Sequence, residues 1–171
     1  MIKMQWVESL VGMILYLFGA NFFVLGMSLM SNKPDLKSSG VFCEAAAIFN
    51  VVAALYAATA LNLGTTATFA LTFGVIWVAL GIILIKGYGL TPVGDYSLYA
   101  AIGMIWFLYA FIALVHNYLF AYATTLYIIT FIAIFLMTRG KVSLKALGWL
   151  LIVFGIIGVL VPALMLFMGL A

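Results

Sequence analysis

Residues 73–103 read FGVIWVALGIILIKGYGLTPVGDYSLYAAIG, two apolar runs separated by a short polar loop. Each run carries glycine and aromatic residues at helical spacing, Gly74, Trp77 and Gly81 in the first and Tyr99, Gly103 and Trp106 in the second. Small residues on a helix face let a neighbouring helix approach closely. The stretch therefore predicts a tightly packed hairpin of two helices.

The composition indicates the solvent in which such a hairpin folds. Of the 171 residues, 68% are hydrophobic and 6% are charged, and the mean hydropathy is +1.35. A soluble domain of this size does not bury so much apolar surface, so we expect an integral membrane protein. The net charge of +3 comes from few residues that form no basic face, which argues against nucleic acid as a partner.

The apolar pattern continues on both sides of the hairpin and predicts six membrane-spanning helices. Each run has about the 20 residues needed to cross a hydrocarbon core about 30 Å thick. The expected helices cover residues 6–30, 39–61, 66–85, 96–115, 118–138 and 146–170, with a turn at 62–65. We therefore predict an all-α six-helix bundle in which residues 1–171 form a single transmembrane domain.

The basic residues predict the orientation of this bundle. Six of the seven lie after the first, third and fifth helices, and they are Lys33, Lys37, Lys86, Arg139, Lys141 and Lys145. Lys3 alone lies on the opposite side. Because basic residues gather in cytoplasmic loops, we expect both termini outside the cytoplasm and a multi-pass protein of the cell inner (plasma) membrane.

The sequence contains no set of residues suited to catalysis. Four acidic residues and one histidine are too few for a carboxylate pair, a Ser-His-Asp triad or a metal cluster. The single cysteine, Cys43, excludes an internal disulfide and a CxxC site, and the phosphate-binding motif GxxxxGK[ST] is absent. We expect no enzyme activity, no metal and no cofactor.

Polar residues inside the expected spans are few. Glu44 either caps the second helix or pairs with Lys33 or Lys37, or it serves transport as an ionisable group within the membrane; Glu8 lies near the outer interface. Four uncharged polar residues are expected to form hydrogen bonds between helices, with contact to a ligand as the alternative. They are Asn21, Asn50, Thr124 and Thr125.

Small residues recur every seven positions in the first and last helices. The two series are Gly12, Gly19 and Gly26, and Gly148, Gly155 and Pro162. Because lipid is as apolar as leucine, membrane helices gain packing energy where small residues let their backbones approach. We interpret both series as packing seams.

Five segments carry a family resemblance, and they are LYLFGANFFVLG in the first helix, NKPDLKSSGV in the loop that follows, TFGVIWVALG and DYSLYAAIG around the central loop, and GWLLIVFGIIGVLVPALMLF in the last helix. They resemble the AmiS/UreI family of urea and short-chain amide channels. Their order and spacing agree with the six-span topology over nearly the whole chain.

The resemblance implies a protomer that encloses its own narrow pore and assembles in the bilayer as a homo-hexamer. Trp77 matches the third-helix aromatic block of the family, and Tyr99 lies in the fourth-helix block. The family's tryptophan-rich fifth-helix segment is replaced by AYATTLY, and Phe154 stands near the position of a glutamate in the last helix. The candidate pore-lining residues are Asn21, Asn50, Trp77, Tyr99, Trp106, Tyr122, Tyr127 and Phe154.

The most direct interpretation is a passive channel for urea or short-chain aliphatic amides. These solutes are planar and uncharged, so aromatic faces can hold them while a few polar groups replace lost water. Two alternatives remain open, an ion-coupled secondary transporter that uses Glu44 and a non-conducting assembly subunit. The outer loops offer one titratable residue, His116, so we expect a pore that is not gated by acid.

Overall fold

Long apolar helices account for most of the chain in the computed structural model, which describes residues 2–61 and 64–169, without the side chains of residues 2–9, 65 and 66. The α-helices are α1 (Ile2–Met30), α2 (Leu36–Thr59), α3 (Gly64–Lys86), α4 (Thr91–Tyr109), α5 (Tyr118–Thr138), α6 (Leu144–Phe154) and α7 (Val161–Phe167). Two π-helical segments, Ala110–Leu114 and Gly155–Leu160, extend α4 and join α6 to α7. The described residues thus contain six helices long and apolar enough to cross a membrane, which confirms the predicted all-α, six-span architecture.

Five of the six spans begin earlier than predicted. In α2, α4 and α6 the reason is that polar residues interpreted as loop belong to the helix starts. The Asp35 carboxylate accepts a hydrogen bond of 3.0 Å from a backbone N–H three residues on and caps α2. Ser143 caps α6 in the same way at 3.1 Å. Thr91 begins α4 with Pro92 in the first turn, where proline is tolerated. Residues 62 and 63 of the predicted turn and the side chain of Glu8 lie outside the described part.

The six spans form a closed ring in chain order. Each span packs against the next, and α1 completes the ring against α6, the π-helical segment Gly155–Leu160 and α7. The first, third and fifth spans are not neighbours in this ring, yet rings from α1, α3 and α5 touch one another. These contacts therefore cross the central axis of the bundle.

The predicted glycine seams of the first and last spans pack against each other. A Cβ atom added at Gly26 would lie 2.8 Å from the carbonyl oxygen of Gly148, and one added at Gly19 would lie 3.1 Å from that of Gly155. Gly12 continues the series against the last turns of the sixth span. The packing interpretation of both series is confirmed.

The tight hairpin predicted for residues 73–103 is wrong, because the glycines of α3 pack on α2. A Cβ atom added at Gly81 would lie 2.8 Å from the carbonyl oxygen of Gly40, and one added at Gly74 would lie 2.6 Å from the side chain of Val51. Gly103 on α4 is exposed and has no such neighbour within 4 Å. The aromatic face of α4 points away from the bundle, which costs little where the solvent is lipid.

Candidate functional site

One face of each of three helices lines the central axis. Its buried residues recur at intervals of three or four positions, the spacing of a single helix face. They are Phe18, Phe22, Leu25 and Leu29 on α1, Phe69, Phe73, Trp77, Leu80 and Leu84 on α3, and Tyr127, Phe131 and Ile134 on α5. Each face changes along its length from aromatic to aliphatic.

Aromatic rings meet at the middle of the axis. The ring centroids of Phe22 and Trp77 are 5.2 Å apart, and those of Phe22 and Tyr127 are 5.8 Å apart. The first two distances are typical of aromatic pairs, and the centroids of Phe73 and Tyr127 are closer still, at 4.2 Å. The name "aromatic waist" is used below for the connected rings Phe18, Phe22, Phe73, Trp77, Tyr127 and Phe131.

Four polar side chains are buried at this depth without hydrogen-bonding partners. Both amide atoms of Asn21 and Asn50, the Nε1 atom of Trp77 and the hydroxyl of Tyr127 have no partner among the described residues. Neither asparagine has any exposed surface. A buried polar atom left unpaired costs free energy, so such atoms are rare in folded proteins. The four side chains therefore leave both donors and acceptors unpaired inside the bundle.

Contacts between the helices place the four polar side chains at similar heights along the bundle axis. Asn21 precedes Phe22, whose ring touches both polar rings of the waist. Val51, the residue after Asn50, lies against Gly74, three residues from Trp77 on α3. Since a helix rises 1.5 Å per residue, the four side chains begin within about one helical turn of each other.

The four groups offer both kinds of hydrogen bond. An indole N–H can only donate, whereas an amide and a phenol can each donate and accept. A small planar molecule with a carbonyl oxygen and an NH₂ group needs such a mixture, a donor for its oxygen and acceptors for its N–H groups. The four groups can therefore replace the hydration of a small planar molecule of this kind, and aromatic faces such as those of the waist can hold its plane.

Two of the predicted interhelical hydrogen bonds are replaced by bonds within a helix. The Thr124 hydroxyl donates to the carbonyl of Phe120 at 2.7 Å, and the Thr125 hydroxyl donates to that of Ala121 at 3.0 Å. Threonine readily bonds to the preceding turn of its own helix. The prediction of bonds between helices is wrong for both threonines, and the two asparagines do not form them either.

The other candidates lie away from the waist. Tyr99, Trp106 and Tyr122 are 74%, 63% and 44% exposed on the outside of the protomer. Phe154, at the end of α6, is partly buried. Of the eight candidates, the structure thus places Trp77 and Tyr127 in the waist and buries Asn21 and Asn50 inside the bundle. The phenylalanines of the waist were missed, although the aromatic residues of the waist form a pair four residues apart on each of the three helices, which was a readable signal.

Glu44 faces α3 and takes no part in the waist. Its Cβ atom would lie 2.8 Å from a Cβ atom added at Gly81. Among the described residues it pairs with neither Lys33 nor Lys37, since the ion pair found there joins Asp95 to Arg139. Asp35 provides the cap of α2, so the capping and pairing predictions for Glu44 are both wrong.

An apolar cavity continues the axis beyond the waist. It lies at the end of the bundle that carries the loops after the first, third and fifth spans, and it has a volume of about 90 Å³. All six spans contribute residues to its wall. The lining residues are Leu25, Leu29, Leu36, Leu80, Leu84, Leu90, Val93, Ile134, Met137, Thr138, Leu144, Leu147 and Leu151.

Comparisons with known proteins agree with this architecture. A family profile described as AmiS/UreI family transporter matches residues 10–170. The cryo-EM structure of the Helicobacter pylori urea channel in a closed state superposes with a TM-score of 0.81 at 22% sequence identity, over 92% of this chain and 97% of that chain. The crystal structure of the H. pylori urea channel gives a TM-score of 0.78 at 22% identity, over 93% and 98%. Curated protein sequences give no match.

Proposed function

The chain belongs to the AmiS/UreI transporter family, and we propose that it is a passive channel for urea and short-chain amides. The path runs along the axis of the single protomer and crosses the aromatic waist. One observation carries the proposal: four polar side chains, two of them rings of the aromatic waist, are buried inside the bundle without hydrogen-bonding partners among the described residues. A solute that supplies those partners lowers the cost of their burial as it passes.

Each polar group has a role in this passage. The Trp77 indole N–H donates to the carbonyl oxygen of the solute, because an indole cannot accept. The amide oxygens of Asn21 and Asn50 and the Tyr127 hydroxyl accept from its N–H groups. The phenylalanine rings hold the plane of the molecule and exclude bulky solutes. An ion would lose its hydration without a compensating charge, so it stays out.

The rings themselves close the path at rest. Phe73 and Tyr127 are in contact at 4.2 Å between centroids, which leaves no space between them for a solute. A molecule therefore crosses only when at least one ring rotates. Such rotation needs no large change of the helix bundle, because the two rings belong to different helices that remain in place.

The position of Glu44 argues against the ion-coupled transporter. Coupling requires an ionisable group whose charge state changes the solute site, and Glu44 lies at the α2–α3 contact rather than in the waist. Stopped-flow measurement on proteoliposomes tests the choice. We expect urea and acetamide flux that does not depend on proton or sodium gradients, whereas gradient-dependent flux would support the transporter and no flux above protein-free liposomes would support the assembly subunit.

Replacing Asn50 by leucine links the unpaired amide to permeation. Leucine is similar in size to asparagine and removes two buried unpaired atoms, each of which costs about 1–3 kcal/mol of folding free energy. The thermal midpoint should therefore stay constant or rise. Urea flux should fall about twofold to tenfold with the lost hydrogen bond. The control is Thr124→Val, since the Thr124 hydroxyl is equally buried but paired within its own helix. Unchanged flux in Asn50→Leu would remove Asn50 from the path.

We further propose the orientation and assembly that the sequence suggests, in the cell inner (plasma) membrane. The loops with most basic residues face the cytoplasm, and the outward aromatic face of α4 contributes to a homo-hexamer. Cysteines at Ser31 and Lys141, introduced after replacement of Cys43, should react only with membrane-permeant reagents in intact cells. Reaction with an impermeant reagent would reverse the orientation, and a native mass of one protomer would exclude the hexamer.

A further inference from the structure

We propose that the apolar cavity beyond the waist binds the alkyl end of a short aliphatic amide, so that the path favours such amides over urea. The cavity is called the leucine chamber below, with the lining residues given above. This inference rests on the proposed function, because it assigns a second site to the same path. It concerns which solute the channel prefers and which part of the wall makes the choice.

The chamber follows the waist along the same three helix faces. On each of three helices the same face changes from aromatic to aliphatic within three residues, a rise of about 4.5 Å. The changes fall between Phe22 and Leu25 on α1, Trp77 and Leu80 on α3, and Phe131 and Ile134 on α5. A solute whose polar end is held at the waist therefore has its other end at the entrance of the chamber.

The chamber offers no polar partner to a guest. Its one hydroxyl, that of Thr138, donates to the carbonyl of Phe135 at 2.7 Å, and every other lining side chain is aliphatic or a thioether. The volume of about 90 Å³ exceeds the about 10–15 Å³ that one water needs. Water is disfavoured by the lining rather than by lack of room, since a water molecule in a cavity needs polar partners and apolar cavities bind apolar guests.

Urea and an alkyl amide differ at this point. Urea carries an NH₂ group on both sides of its carbonyl, so one of them would enter the chamber and lose its hydrogen bonds. Acetamide and propionamide place a methyl or an ethyl group there instead. Each methylene moved out of water favours entry about fourfold, as long as the chamber has room for it.

Protein-dependent flux through proteoliposomes tests the preference, after subtraction of the flux through protein-free liposomes. We expect the order urea, acetamide, propionamide, with up to about fourfold between successive solutes that differ by one methylene. Urea flux equal to or above propionamide flux would overturn the inference while leaving the channel proposal intact. Absence of flux for all three would overturn the channel proposal instead.

A filled chamber should lose this selectivity. Leu80→Phe adds bulk to the wall of the chamber. It should therefore lower propionamide flux at least about fourfold more than urea flux, because fourfold is the effect of losing the space for one methylene group. The matched control is Leu98→Phe on the outward side of α4, where the ratio should not change. Equal loss for both solutes in Leu80→Phe would contradict an alkyl site.

Binding can be followed without transport. In fluorine NMR of trifluoroacetamide with the purified protein, the CF₃ line should broaden with the parent and with Leu98→Phe, and stay narrow with Leu80→Phe. Broadening that is equal in all three proteins would show that the chamber does not hold the apolar group. This readout decides the inference even if flux is absent and the channel proposal fails.

Discussion

The waist and the outer face of α4 contain the same kinds of residue in opposite surroundings. Trp77 is 3% exposed and its N–H has no partner within the described part of the chain, whereas Trp106 is 63% exposed on the outside of the bundle. Gly26 contacts the backbone of another helix, whereas Gly103 has no such neighbour within 4 Å. Residue type therefore does not identify a functional residue in this protein; what distinguishes the interior is an unsatisfied polar atom or a backbone contact.

The largest difference between the two regions is expected at the glycines. In Gly26→Val, the new Cβ atom would lie 2.8 Å from the Gly148 carbonyl oxygen and 2.8 Å from the Ile152 side chain. Backbone cannot move aside as a flexible side chain can, so we expect a loss of about 1–3 kcal/mol or more of folding stability. Gly103→Val should leave the thermal midpoint in detergent unchanged.

The glycine pair also reports on assembly. If Gly103→Val keeps its thermal midpoint but elutes as a smaller particle on gel filtration, the outer face of α4 is a contact between protomers. If Gly103→Val unfolds as readily as Gly26→Val, the description of α4 as an outward face is wrong.

The tryptophans should differ in flux rather than in stability. Trp77→Phe keeps an aromatic ring in the waist and removes one N–H group, so urea flux should fall about twofold to tenfold for one lost hydrogen bond. Trp106→Phe is the same chemical change on the outer face and should leave flux as it was. Stopped-flow light scattering on proteoliposomes compares the two. A larger effect of Trp106→Phe would place the path at the α4 face.

The six spans and the glycine seams could be predicted because their signals are independent of the surroundings. A span needs length and hydropathy, and a seam needs small residues at regular spacing. The inward face of α4 could not be predicted in the same way. In water a polar face marks the outside of a helix, but in lipid both faces are apolar. From the sequence, Tyr99 and Trp106 were therefore as good candidates for the pore lining as Trp77.

The buried unpaired polar groups could be predicted only in part, for a related reason. Asn21 and Asn50 stand out as polar residues within apolar runs, and Trp77 and Tyr127 stand out as aromatic residues with a polar atom. Thr124 and Thr125 have equal polarity but are satisfied within α5. Sequence alone does not tell a satisfied polar group from an unsatisfied one, because that depends on how the helix face is turned.

The smallest effect is expected from pH. Moving a gate from mostly closed to mostly open takes about 5.5 kcal/mol of differential free energy, whereas one group whose pKa differs by one unit between two states supplies about 1.4 kcal/mol. The outer turn between the fourth and fifth spans offers His116, which is exposed, and Asn117, whose side chain caps α5 through a 3.0 Å hydrogen bond from the Phe120 N–H. The cap leaves a short, held turn rather than a segment that could move.

We therefore expect urea flux at about pH 5 and at about pH 7.5, on either side of the ordinary range of histidine titration, to differ by less than about tenfold. His116→Ala should have the same pH profile as the parent. Glu44 lies against α3 and should not affect the pH dependence of urea flux either. Glu44→Gln serves as the second control because it keeps the shape of the side chain. A steep rise in flux at low pH that His116→Ala abolishes would show that the outer turn is a gate. A rise that Glu44→Gln abolishes would instead place the switch at the α2–α3 contact. There the glycines of α3 already let the two helices pack closely.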